Sequence, residues 1–509
     1  MARIASPAGL ALLPLAIAAA IAIPASGDDA APLPSPAPRP RHVVLVVGDG
    51  LSRAAEVAAS RFLSGRDDAL AWSGVEFEYQ GFASTWDVTT YDRHAEALGL
   101  PPYTPGCFRP AVGYDVKRGG ASPWPVSRLG RDDYLVRPLP LRGQPPEIPA
   151  ADSASAATAL ATGVKTDEGN LAWAPGDREG GALVTIAQRA RDRLGAAIGL
   201  VTTVPFSHAT PAAFVAHSTD RHAYEAIARE ILAWRPEVVV GGGHPRAARR
   251  TRVLRPERWV APEEYAAVRK PGSGWVVVER AGEDGGRALL RAASGLRDGE
   301  RLLGLFGGAD GGFEPAVPSR DGSGAVRIGN RENPSLADAA TAALTVLARD
   351  PEGFFLVVEQ GDIDWATHAG DFAWLVGAVW DLDQAVRAIA AFVDRPGDAV
   401  TWETTLVVVT ADHANGHLRL GRPLGKGALP SRGDGSHTWG APGANAPSGH
   451  TNELVTLAAR GAGAKALFSA VEGRWYPGTR IVDNTQIHDA MARAMGLESR
   501  APEPGAACR

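Results

Sequence analysis

His42-Val43-Val44-Leu45-Val46-Val47 runs directly into Gly48-Asp49-Gly50. An unbroken β-branched run without polar alternation is the pattern of a strand buried on both faces, as in parallel sheets covered by helices. Similar short runs recur at 197–202, 238–240, 354–358, 405–409 and 453–458. Between them, apolar residues fall at helical spacing over 183–194, 335–349, 374–392 and 485–496. Ser335 followed by Asp338 predicts a capped start for one of these helices. Strands alternating with helices predict an α/β fold, a three-layer α/β/α sandwich around a central, mostly parallel sheet.

The rest of the 509 residues organises around that frame. Arg3 is the one charge before Asp28, and the chain is almost wholly apolar over 8–23, with small residues at 25–27. This is the pattern of a cleavable signal peptide over 1–27, and it predicts a periplasmic or secreted protein without a stable membrane anchor. Residues 28–41 form a Pro-rich linker. The main folded domain is expected over 42–500, with a short tail at 501–509. Two stretches, 85–150 and 414–449, are rich in Gly and Pro without a clear period, and read as insertions over one sheet edge. In the first, Tyr91, Tyr103, Tyr114 and Tyr134 could shape a substrate entrance or a dimer contact, and are chiefly expected to cover that edge. In the second, His437 and Trp439 could border the pocket. A net charge of −5 provides no basic excess to hold nucleic acid, so any anion site must be local. The two cysteines, Cys107 and Cys508, could pair in an oxidising compartment.

In open α/β sheets, ligands collect at the carboxyl ends of the strands. Asp49 follows the first strand. Glu359, Asp362, Asp364 and His368 follow the run at 354–358. Asp412 and His413 follow 405–409, and His450 precedes 453–458. Singly, each has an ordinary explanation such as a helix cap. Together, five carboxylates and three imidazoles at one sheet edge would repel and pay for desolvation, and divalent cations hold such a set together. Mixed imidazole and carboxylate ligands favour zinc, and all-oxygen sets favour magnesium. A second signal is DSASAATALATGVKT at 152–166, where Ser153 stands at a helix start and faces the positive end of the helix dipole.

These segments carry a resemblance. GDG at 48–50, DSASAATALATGVKT at 152–166, HATPAAFVAHSTDR at 208–221, VEQGDIDWATH at 358–368, TADH at 410–413 and SGHT at 448–451 resemble the motifs of alkaline phosphatases, in the family's order. The resemblance implies hydrolysis of small phosphate monoesters through a phosphoseryl intermediate, with two zinc ions and one magnesium ion. It makes Ser153 the nucleophile and Arg221 the guanidinium that clamps phosphate. Asp49, Asp412 and His413 would hold one zinc, and Asp364, His368 and His450 the other. Asp49, Thr210 and Glu359 would hold magnesium, whose site would position a water to take the Ser153 proton. Homodimers are common in that family, but no interface is legible here.

Two positions depart from the better-known pattern. His208 stands where some members have Asp and adds no negative charge to the third site. Trp365 occupies a variable position and cannot hold phosphate through charge. Sulfatases need a Cys/Ser-x-Pro-x-Arg setting, whereas Ser153 has Ser155 two residues on. Nucleotide-type diesterases generally use Thr and lack the magnesium set and the arginine. A non-enzymatic phosphate or metal binder would have no need for an intact nucleophile.

Overall fold

The computed structural model describes residues 41–497, apart from 106, 115–148, 246–258, 309, 432, 441–448 and 471–478. The expected signal peptide, nearly all of the linker, the tail, Tyr134 and Cys508 lie outside the described residues. Whether Cys508 pairs with Cys107, left open by the sequence, therefore also lies outside them.

The strands of the main sheet, numbered in chain order, are β1 (His42–Gly48), β2 (Tyr79–Ser84), β3 (Ala197–Pro205), β4 (Val238–Gly242), β5 (Trp275–Glu279), β6 (Arg301–Leu305), β7 (Phe354–Gln360), β8 (Thr405–Thr410), β9 (Val455–Gly461) and β10 (Ile481–Asp483). Their spatial order is β10-β2-β9-β8-β1-β7-β3-β4-β6-β5. All neighbours are parallel except that β9 runs antiparallel to both β8 and β2. The central strands β1, β7, β3 and β8 are buried along their whole length, as their apolar runs require.

Helix packing defines two layers. The helices Arg53–Ser64, Gly285–Gly295, Leu336–Leu347 and Phe372–Val393 pack in one group, and Ser153–Thr162, Ile186–Leu194, Ala209–Ala212 and Asn484–Ala494 in another. The predicted three-layer α/β fold is the observed one. Among the described residues, no helix is long and apolar enough to cross a membrane.

Four strands of the main sheet escaped the sequence reading: β2, β5, β6 and β10. The stretch from 85 onward is also more ordered than expected, since it holds the helix Val88–Ala97, capped by Asp87. That helix buries Val88, Tyr91 and Ala95, but its many polar residues mask the period. Trp86, Tyr91 and Ala95 form a separate apolar cluster, against which Tyr103, Phe108 and Tyr114 pack. The Tyr114 hydroxyl donates to Asn452 O at 2.6 Å and ties this cluster to the segment before β9.

Candidate active site

Sheet register sets the site. Val47 lies opposite Glu359 on one side and Thr410 on the other, and Glu359 lies opposite Thr202 on β3. Residues leaving β1, β7, β3 and β8 therefore emerge at one edge. Asp49 follows β1, Asp412 and His413 follow β8, and Thr210 lies in the short helix Ala209–Ala212 after β3. Asp364 and His368 sit in the helix Asp362–Ala369, four residues apart and so on one face. His450 reaches the same edge because β9 is antiparallel: the chain entering β9 arrives where the chain leaving β8 departs. A short pairing of Asn415 with His450 fixes it there.

Two triads form. Ligand-type atoms of Asp49, Asp412 and His413 lie within 4.8 Å of one another, as do those of Asp364, His368 and His450. In the first, His413 Nε2 is 3.5 Å from Asp49 Oδ1 and 3.3 Å from Asp412 Oδ2. In the second, Asp364 Oδ1 is 3.4 Å from His368 Nε2 and 3.5 Å from His450 Nε2. The triads adjoin, with the His413 and His450 rings stacked at 3.6 Å between centroids. His450 Nδ1 donates to Ala151 O at 2.8 Å, which turns Nε2 toward the triad. Asn415 Nδ2 donates to Asp364 Oδ1 and to the Asp364 carbonyl, and so orients that carboxylate.

The electrostatics follow from burial. Burial, reinforced by Asp412, Asp364 and Glu359, pushes the Asp49 carboxyl well above its usual range. Burial brings His413 down to about 4 and Glu359 up to about 7. Burial alone would raise Asp364 too, but hydrogen bonding and attraction to the surrounding imidazoles hold it low.

Ser153 opens the helix Ser153–Thr162, whose N-cap is Asp152. Its Oγ lies 3.1 Å from His413 Nε2, against the first triad. Small residues at 154–159 let this helix pack fully buried. Asp152 Oδ2 accepts from Arg221 Nη1 at 2.7 Å. Burial opposes ionisation of Asp152, yet Arg221 and Ser155 bring it down to about 2. Nucleophile and guanidinium are thereby tied to the same helix cap.

Thr210 and Glu359 are both fully buried. Thr202 donates its hydroxyl to Glu359 Oε2, and the Thr210 hydroxyl neighbours the same carboxylate without reaching hydrogen-bond geometry. His208 stacks on Tyr224 at 6.3 Å and meets the edge of Trp365 at 6.1 Å. Trp439 packs near Gly416, beside Asn415, and His437 lies against Phe372 at 5.0 Å. All the expected site residues thus lie around one sheet edge. The sequence reading assigned no part to Asp152, Asn415, Thr202 or Asp87. Asp152 and Asp87 cap their own helices locally, but their contacts with Arg221 and Ser155, like those of Asn415 and Thr202, join residues far apart in sequence.

The residues present suit cations. Both oxygens of Asp49, Asp412 Oδ2, Glu359 Oε1, Thr210 Oγ1 and His413 Nδ1 are buried without a hydrogen-bond partner. Buried carboxylate oxygens left this way are costly unless a positive charge compensates them.

Known proteins resemble this chain in sequence and in fold. The alkaline phosphatase family model matches residues 141–245 and 285–472, more than half of the chain, though not Asp49. Streptomycin-6-phosphate phosphatase of Streptomyces griseus is 32% identical over 398 residues, covering 70% of this chain and 80% of that protein. Alkaline phosphatase 3 of Bacillus subtilis is 31% identical over 296 residues, covering 57% of this chain and 54% of that one. The chain thus spans about half the length of that Bacillus relative. Among solved structures, the alkaline phosphatase of the Antarctic bacterium TAB5 superposes with a TM-score of 0.57 at 18% identity, covering 91% of this chain and 100% of that one. The Thermus thermophilus alkaline phosphatase gives 0.56 at 24%, covering 91% and 93%. At such identities the structures speak for the fold alone, while the family model and the sequence matches show that the chain belongs to the alkaline phosphatase family.

Proposed function

We propose that this chain is an exported, metal-dependent phosphomonoesterase that works through a phosphoseryl intermediate on Ser153. The observation that carries the reading is the placement of Ser153 Oγ, 3.1 Å from His413 in one candidate metal triad, with the other triad stacked against it. Asp49, Asp412 and His413 would hold one zinc ion, and Asp364, His368 and His450 a second. Asp49, Thr210 and Glu359 would hold magnesium. Bound there, the cations would neutralise the phosphate dianion and lower the pKa of attacking and leaving hydroxyl groups.

The chain's own residues do the rest. Ser153 Oγ attacks phosphorus as the bond to the leaving oxygen breaks, and the alcohol departs with a proton. Water then cleaves the phosphoserine, releasing inorganic phosphate and restoring the hydroxyl. The dipole of the helix Ser153–Thr162 favours negative charge at this point. Arg221, held by Asp152, offers its guanidinium to phosphate oxygens.

His208 bears on the third cation. A His-to-Asp mutant of the TAB5 enzyme is described with Mg bound in a site called M3. In this chain the imidazole of His208 adds no negative charge to that site, so Asp49, Thr210 and Glu359 would hold magnesium less firmly, or admit zinc.

The test is hydrolysis of p-nitrophenyl phosphate at alkaline pH, with zinc and magnesium, after chelation, and for Ser153→Ala. Metal-restored activity that Ser153→Ala abolishes is the expected result. A folded, zinc-loaded chain without activity overturns the monoesterase reading.

A further inference from the structure

Asp87 lies at the N-terminus of the helix Val88–Ala97 and is 1% exposed. Its Oδ1 accepts from the Thr90 N–H at 2.6 Å and from the Thr90 hydroxyl at 2.7 Å. Its Oδ2 lies 3.2 Å from Ser155 Oγ. That Ser155 oxygen is also 2.6 Å from Asp152 Oδ1, and Asp152 Oδ2 holds Arg221. A continuous path of buried polar contacts therefore runs from Asp87 to the guanidinium.

We propose that Asp87 is a positioning residue for phosphate binding: through Ser155 and Asp152 it holds Arg221 in place. The proposal rests on the reading of Arg221 as the phosphate clamp.

Proton counting gives the path its direction. The Ser155 hydroxyl has one proton, and the shorter contact commits it to Asp152. Asp87 Oδ2 then faces a lone pair of Ser155 Oγ. That contact is favourable when Asp87 carries a proton and donates it, and repulsive when Asp87 is ionised. The charged groups around Asp87 divide. Asp152 and Glu168 oppose its ionisation, and the Lys165 ammonium favours it. Burial is the largest influence, and the balance raises the Asp87 carboxyl to about 7. Below that pH the relay is complete, from Asp87 to Ser155 to Asp152 to Arg221. Above it, two carboxylates compete for one serine proton, and Asp152 holds the guanidinium less firmly.

The test is the inhibition constant of inorganic phosphate between pH 6 and 9, for the metal-loaded wild type, Asp87→Asn, Ser155→Ala and Arg221→Ala. Asn at 87 still caps the helix, and its amide N–H donates to Ser155 at every pH. The ratio of wild-type to Asp87→Asn constants cancels the ionisation of phosphate itself. It is expected near one at pH 6 and about tenfold at pH 9, the scale of one charge-assisted hydrogen bond. Ser155→Ala should weaken phosphate binding with no such dependence. A purely structural role would lower melting temperatures and leave the ratio flat. A flat ratio while Arg221→Ala still weakens phosphate binding overturns this proposal alone. An Arg221→Ala variant that binds phosphate like the wild type overturns the clamp reading, and the proposal with it.

Discussion

Ser153 and His413 meet across the sheet edge, Oγ to Nε2 at 3.1 Å, although 260 residues separate them. The imidazole is fully buried, and burial brings its pKa to about 4, so it is neutral at physiological pH. A neutral imidazole between two carboxylates is a ready metal ligand. His413→Ala is expected to lose about one bound zinc per chain by elemental analysis. Activity should fall by more than the ~10- to 100-fold typical of an outer-shell change. Wild-type zinc content in this variant would remove His413 from the metal site.

Gly50 supports the same corner through its backbone. Its φ is +69°, in the left-handed region, and its N–H donates to Asp412 Oδ1 at 3.1 Å. A Cβ there would stand 3.0 Å from both Cα and Oδ1 of Asp364. Gly50→Ala should therefore strain the turn and displace ligands of both triads, weakening zinc retention against a chelator at least tenfold, in the range of outer-shell metal-site changes. Retention equal to wild type would show that the turn adapts without cost.

Why some of this was legible in sequence follows from the physics of each element. The central strands β1, β7 and β8 are buried on both faces, so they must be apolar throughout, and their polar successors stand out. Asp49, Asp412 and His413 were visible for that reason. β10 has three residues and β2 alternates Tyr, Gln, Gly and Phe, so neither shows a continuous run. β5, Trp275-Val276-Val277-Val278-Glu279, carried a β-branched signal that was overlooked, and it forms the half-buried edge of the sheet. The Asn415–Asp364 and Asp87–Ser155 contacts gave no signal, because they join residues 51 and 68 apart and short-range patterns do not encode such pairs.

His208 offers a test of the third site. An imidazole adds no charge beside Asp49, Thr210 and Glu359, whereas a carboxylate would add a hard oxygen ligand. His208→Asp is expected to tighten magnesium binding, seen as activation at lower Mg2+ concentration. It should also lower the melting temperature of the chelated protein, because the ring stacked on Tyr224 is lost. An unchanged magnesium dependence would place His208 outside the influence of that site.

Asp381 predicts a pH dependence of stability. It is buried, accepts from the Leu336 N–H at 3.2 Å and from Gln360 Nε2 at 3.0 Å, and burial raises it to about 7. A carboxyl with a folded pKa above its unfolded value near 4 holds a proton that the unfolded chain releases. Its contribution is complete below about pH 4 and is lost as pH rises to about 7. Asp381→Asn cannot titrate. The melting temperature of the wild type minus that of the variant, both in chelator, should fall between pH 4 and 7 and stay level above. Parallel curves would show that Asp381 has the same pKa folded and unfolded.

Lys165 and Asp483 form an ion pair at 2.9 Å with side chains 2% and 3% exposed. Lys165 also donates to Trp86 O at 2.7 Å, and Asp483 caps the helix Asn484–Ala494. The pair thus joins the segment after the Ser153 helix to the C-terminal helix. Burial lowers the Lys165 pKa, and attraction to Asp483 opposes that shift. Removing one partner strands a charge where water cannot reach it. Lys165→Met is expected to cost about 3–5 kcal/mol in denaturant unfolding. Asp483→Asn should cost a similar amount, with part of its effect arising from the weakened cap. In the double variant neither charge is stranded, so its loss should fall well short of the sum of the single losses. Additive losses would mean that the two side chains act separately, and that the ion pair does not join the two segments.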